Sequence, residues 1–99
     1  MVINKDKTVK AEMTNRMING GVQKLYKFPN GYGASVVRHS FSYGGDEGLW
    51  ELAVIRYNGD HFDIDYSTPI ADDVLGCLSE EDVDIILDKI AALKYNYLA

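Results

Sequence analysis

Three groups of polar side chains in this 99-residue chain have types and spacing that could do chemistry. The first is Arg38-His39-Ser40-Phe41-Ser42-Tyr43-Gly44-Gly45. Glycine amides, a guanidinium and aromatic rings together can hold a phosphate or a base, so Arg38, His39, Tyr43, Gly44 and Gly45 form a candidate ligand site. The plain alternative is a glycine-rich connection between strands. The second group is the carboxylates Asp60, Asp63, Asp65, Asp72, Asp73, Glu80 and Glu81. Strand alternation puts Asp63 and Asp65 on one face, and hard cations such as Ca²⁺ or Mg²⁺ bind oxygen clusters of this kind. No EF-hand loop or phosphate-binding motif accompanies them, so the pattern predicts a solvated acidic face instead. The same carboxylates have the types needed for acid–base catalysis, but nothing in their spacing places them in a pocket. Third, Cys77 follows Gly76 just ahead of a helix, where a thiolate is favoured. Neither His39 nor His61 is near it in sequence, no nucleophile elbow occurs, and the histidines lack metal-binding spacing. The expectation is a binding protein without enzymatic site, cofactor or metal.

The surrounding composition supports an ordinary globular chain. Hydrophobic residues make up 46% and charged residues 25%, too apolar for disorder. The longest aliphatic run, Leu52–Ile55, is far short of a membrane span, and the first residues do not form a signal peptide. The one cysteine cannot form an intrachain disulfide and fits a reducing cytoplasm. Charge is divided sharply. Residues 1–45 hold seven Lys/Arg and two acids, +5; residues 46–99 hold three Lys/Arg and thirteen acids, −10, and together these give the net −5. An acidic half of that size repels nucleic-acid phosphates and favours a basic partner.

The elements that must position these residues are legible to different degrees. Leu49–Tyr66 reads as a hairpin turning at Asn58-Gly59. A two-residue loop there would set Leu52 and Val54 beside Asp65 and Asp63. A three-residue loop, Tyr57-Asn58-Gly59 with a bulge at Gly59, pairs Trp50 with Tyr66, Leu52 with Ile64 and Val54 with Phe62, and is the register the pattern predicts. Arg56 then lies opposite Asp60, and Glu51, His61, Asp63 and Asp65 share the other face. Residues 22–28 and 32–42 flank Pro29-Asn30-Gly31 as a second hairpin, pairing Phe28 with Tyr32 and Tyr26 with Ala34, with Gly33 at a twist or close approach. In residues 1–21, Val9, Met13 and Met17 have helical spacing between Thr8 and Gly20-Gly21, which suits a short helix; an extended arm or edge strand is the alternative. In the connector 67–78, Thr68 and Pro69 open a short helical turn with Gly76 near its end.

The helix at 79–94 is the best specified. Ser79 is its N-cap, Asp82 completes a capping box, and Leu78 can staple to Val83. Val83, Ile86, Leu87, Ile90 and Leu93 form an apolar stripe that needs a surface to cover. The predicted fold is α+β: one domain over residues 1–99, a four-stranded antiparallel β-meander with a C-terminal α-helix on one face and an N-terminal arm or short helix.

The runs Pro29–His39, Ser42–Gly45, Gly48–Val54 and Thr68–Ile70 resemble small accessory proteins of tailed bacteriophages and prophages, over about residues 22–93. That resemblance carries no catalytic motif. It implies expression in bacterial cytoplasm and a role in occupying a host protein, such as a CRISPR nuclease or another defence enzyme. The leading expectation is therefore an inhibitor-like protein whose acidic half blocks a host protein's basic surface. The alternatives are an oligomer that sequesters a small anionic ligand or signalling nucleotide at Arg38, His39 and Gly44-Gly45, and a structural phage protein. No membrane or direct nucleic-acid contact is expected through the acidic half.

Overall fold

The computed structural model describes residues 11–42, 44–71 and 73–94. The order is β1 (Glu12–Ile18), β2 (Gly21–Lys27), β3 (Tyr32–Arg38), β4 (Trp50–Asn58), β5 (His61–Ile64), β6 (Leu75–Leu78) and α1 (Glu80–Ala91), with one 3-10 turn at Gly45–Glu47. Five strands lie in sequence order, β1-β2-β3-β4-β5, all antiparallel; β6 also pairs with β4. The fold is thus α+β as expected, but the sheet has six strands among the described residues, two more than the predicted meander.

The two added strands have identifiable causes. Residues 12–18 form β1, the edge-strand alternative, and the short-helix expectation fails there; Val9 and Thr8 lie outside the described residues. Asn19 and Gly20 both take positive φ (48° and 77°), which makes a two-residue hairpin turn rather than a helix stop. Helical spacing of Met13 and Met17 is equally strand spacing, because four residues is two pleats. The connector likewise holds less helix than predicted. Thr68 Oγ1 accepts from the Ile70 amide in a single turn, and residues 75–78 extend along β4 as β6, with Trp50 opposite Leu78 and Leu52 opposite Leu75.

The β4–β5 register also differs from the expected bulged turn. Asn58 pairs with His61, Tyr57 with Phe62, Arg56 with Asp63 and Ile55 with Ile64. Gly59 and Asp60 are the turn residues, and Gly59 has the positive φ (66°) that a two-residue turn asks of glycine at its first position. Phe62 and Ile64 therefore project away from Leu52 and Val54, and Ile64 is 52% exposed. The predicted register rests on Leu52 and Val54 taking cross-strand cover from β5. They are covered instead by α1 and β6.

The β2–β3 hairpin forms as read, with Tyr26 opposite Ala34 and the Phe28 amide donating to the Tyr32 carbonyl at 2.8 Å. Gly33 is a close approach: a Cβ there would run into the Tyr26 carbonyl oxygen. α1 begins at the Ser79 cap with the full capping box, Ser79 Oγ accepting from the Asp82 amide and Asp82 Oδ2 from the Ser79 amide, both at 3.1 Å. Its Val83 and Ile90 are buried against Ala34, Val36, Trp50, Leu52 and Val54, with Ile86, Leu87 and Leu93 at the margin. Each fully buried aliphatic side chain contributes about 1.5–3 kcal/mol.

The far end of α1 is held from the sheet. Asn30, in the β2–β3 turn, is itself buried; its Nδ2 donates to the carbonyls of Ile90 (2.9 Å), Leu93 (3.1 Å) and Ala91 (3.3 Å), while its Oδ1 accepts from the Tyr32 amide (3.0 Å). A helix leaves its last carbonyls without intrahelical donors, and this amide supplies one. Asn30→Ala is expected to cost about 2 kcal/mol in urea unfolding, from unsatisfied buried carbonyls. Asn30→Asp is expected to cost more, because a carboxylate replaces the donor beside the negative end of the helix dipole.

Candidate functional site

The acidic residues singled out by sequence divide between surface and interior. Asp60 sits exposed in the β4–β5 turn, and Asp63 is exposed on β5 directly opposite Arg56, on the same sheet side as α1. Asp73 is exposed, with Oδ1 accepting from the Val74 amide at 2.7 Å. Glu80 and Glu81 are exposed in the first turn of α1. Asp72 lies outside the described residues. Asp65 is the correction: it is only 8% exposed and cannot belong to a working surface. Its amide donates to the Val54 carbonyl at 2.8 Å, which sets it in the covered row. Oδ1 accepts from the Ser67 amide (2.7 Å) and hydroxyl (2.5 Å), and Oδ2 is buried with no partner. Glu51, expected on the same face as Asp63, projects from the other one, as its pairing with Val37 requires.

Glu81, a predicted site residue, is joined on α1 by two acids outside the predicted set, Asp84 and Asp88. Glu81, Asp84, Ile85 and Asp88 fall at i, i+3, i+4 and i+7, one stripe on the outer face, and all four are exposed, Ile85 by 56%. Adding Glu80 and Asp82, the helix holds five exposed carboxylates and one lysine, Lys89. The signal was available, since these are the positions the apolar stripe omits. Asp84 also lies near the β2 strand: it lines a small cleft with Lys24, Tyr26, Trp50 and Glu80. Burial first, and the Asp84 carboxylate second, push the Tyr26 hydroxyl above its ordinary pKa of 10.0.

The second candidate group is gathered into a recess of about 380 Å³ between the β1–β2 turn and the β3–β4 connection. Arg38, His39 and Gly45 line it together with Met17, Ser40 and Asp46. Gly44 packs close to Leu49 and Cys77, and Tyr43 lies outside the described residues. The groups that would hold an anion are largely engaged already. The Gly45 amide donates to Ser42 O (3.0 Å), the Gly48 amide to Gly45 O (3.1 Å), and the Leu49 amide to Gly44 O (2.9 Å). The Arg38 guanidinium lies 4.4 Å from the Trp50 ring centroid and donates to Gly48 O at 3.3 Å, while Lys24 Nζ stands 4.8 Å from the same ring. His39 Nδ1 accepts from the Phe41 amide (3.0 Å), which leaves Nε2 as the nitrogen with the proton. His61 is at the opposite end of β4, in register with Asn58.

No family model, curated protein or solved structure matches this chain. The site is therefore read from its own geometry. Among the described residues no three His, Cys, Asp or Glu side chains converge as a metal site would require. No helix among them is long and apolar enough to cross a membrane.

The buried oxygen of Asp65 gives a direct stability test. Asp65→Asn keeps an acceptor for Ser67 but weakens two charge-assisted bonds and sets a buried N–H donor without acceptor where Oδ2 stands. It is therefore expected to destabilise the fold by about 1 kcal/mol or more in urea unfolding at neutral pH. Ser67→Ala is expected to shift the midpoint the same way.

Proposed function

We propose that this protein is a non-enzymatic binding module whose outer α1 face occupies a basic surface on a protein partner. The observation that carries the proposal is the exposed stripe Glu81-Asp84-Ile85-Asp88, carboxylates ranged around one apolar side chain on a rigid, doubly capped helix. Like charges at i and i+4, as in Asp84 and Asp88, cost a helix a few tenths of a kcal/mol, and acids near its C-terminus oppose the dipole. Glu81 in the first turn suits the dipole, but the Asp84–Asp88 pair does not, and that pair makes sense where a partner's Lys and Arg neutralise it. Exposed Asp60, Asp63 and Asp73 add to the same electrostatic field. The phage-like motifs make a host protein with a nucleic-acid-binding surface the natural source of that partner.

The test uses a lysine-rich peptide as probe, with binding followed by calorimetry over a salt series. Glu81→Gln/Asp84→Asn/Asp88→Asn is expected to weaken binding about tenfold and to flatten its salt dependence, with thermal melts checking that the variant is folded. Asp60→Asn/Asp63→Asn is expected to change affinity less than twofold, roughly the screening expected of peripheral charges. Unchanged affinity in the helix variant would overturn the proposal.

The recess favours a second reading, a small anionic ligand held by Arg38 and the His39 Nε2–H. Phosphate or a nucleoside monophosphate is then expected to perturb the His39 ring resonances in NMR titration, and Arg38→Gln to abolish the perturbation. Shifts confined to the α1 residues, or none, would rule this reading out.

A further inference from the structure

β1 ends the sheet, and among the described residues it has a strand partner on one side only. All of its residues from Glu12 to Met17 are exposed, including Met13 (46%) and Met17 (79%). Ile18 and Gly21 close the two-residue turn, so the amides and carbonyls of alternate residues, Met13, Asn15 and Met17, point away from β2. That is a template for another strand, and β1 has neither proline nor bulge to blunt it. One face of the strand is also complementary to itself when antiparallel. Glu12, Thr14 and Arg16 share one face, with Thr14 at the centre. An antiparallel copy centred on Thr14 sets each Glu12 opposite the partner's Arg16 and Thr14 opposite its own equivalent. These are non-hydrogen-bonded positions, where facing side chains stand closest, and both pair types are favourable across strands. Arg16 is already fixed on that face, its Nε donating to Gln23 Oε1 at 2.6 Å, and Gln23 Nε2 to Ser35 Oγ at 2.8 Å. Lys27, which lies opposite Glu12 on β2, directs its ammonium to the Tyr57 ring (5.0 Å) and the Gly59 carbonyl (3.4 Å).

We infer that β1 is the contact by which two copies of this chain pair about a two-fold axis at Thr14, joining their sheets into one. The edge is short, so the dimer is concentration-dependent rather than permanent. Sedimentation velocity over a concentration series tests it, with circular dichroism and thermal melts as controls that each variant is folded. Glu12→Arg and Arg16→Glu each place like charges at both contacts, and each is expected to raise the dimer dissociation constant about tenfold or more. Mixed in equal amounts, these two variants are expected to recover association as a heterodimer, and the double swap Glu12→Arg/Arg16→Glu to recover it as a homodimer. A wild-type chain that stays monomeric across the series overturns the inference. Hydrogen exchange then assigns the edge: protected Met13, Asn15 and Met17 amides mean that the chain covers it itself, and fast exchange that it awaits a different strand. Association that is indifferent to both charge reversals overturns it as well.

Discussion

One buried amide ties this structure together. Asn30 sits at the tip of the β2–β3 hairpin, yet its side chain donates to the last carbonyls of α1, sixty residues later in the chain. The sheet cannot slide under the helix without breaking those bonds, and the helix cannot end elsewhere without losing its terminal donor. At the other end Ser79 and Asp82 fix the start of α1, directly after β6. The helix is thus pinned at both ends to elements that already belong to the sheet. Its outward stripe of acids is a consequence of this pinning, since Val83 and Ile90 must face Leu52 and Val54.

How far the chain could be read depended on whether local chemistry or tertiary cover made the decision. The capping box at Ser79-Asp82 and the turn at Pro29-Asn30-Gly31 are local, and both formed where the residues put them. The role of Asn30 as a cap was not visible, because its partners are distant in sequence. The Asn19-Gly20 turn was legible by the same rule applied at Asn58-Gly59, but helical spacing of Met13 and Met17 masked it. The β4–β5 register failed for the opposite reason. Pairing was inferred from which side chains ought to be covered together, whereas β6, a strand with no periodic signal in Leu75-Gly76-Cys77-Leu78, supplies cover for the first half of β4. A slip by an odd number of residues turns every side chain over, and Asp65 moved inside as Ile64 moved out.

The candidate site followed the same division. Sequence spacing identified an acidic half but placed its centre on β5, where Asp63 faces Arg56 and Asp65 is internal. The exposed acids of α1 include Glu80 and Glu81 from the predicted set, together with Asp84 and Asp88, which the apolar stripe leaves on the outer face. At Arg38-His39 the residue types were suited to an anion, and the fold does bring Arg38, His39 and Gly45 to one recess. Composition could not show that the loop's amides satisfy its own turns, or that Trp50 holds the guanidinium.

The split edge of β4 also bears on how the chain acquires its shape during synthesis. β1 to β5 are sequence neighbours that zip together as successive hairpins, contacts of low sequence separation that form early. The apolar side of that sheet, with Trp50, Leu52 and Val54, has no lid until β6 and α1 emerge from the ribosome. For that interval the nascent protein carries a bare greasy sheet, the state most prone to misassembly. Asp60 and Asp63 emerge with β5, ahead of the lid, and like charge on neighbouring nascent chains opposes their association over that interval.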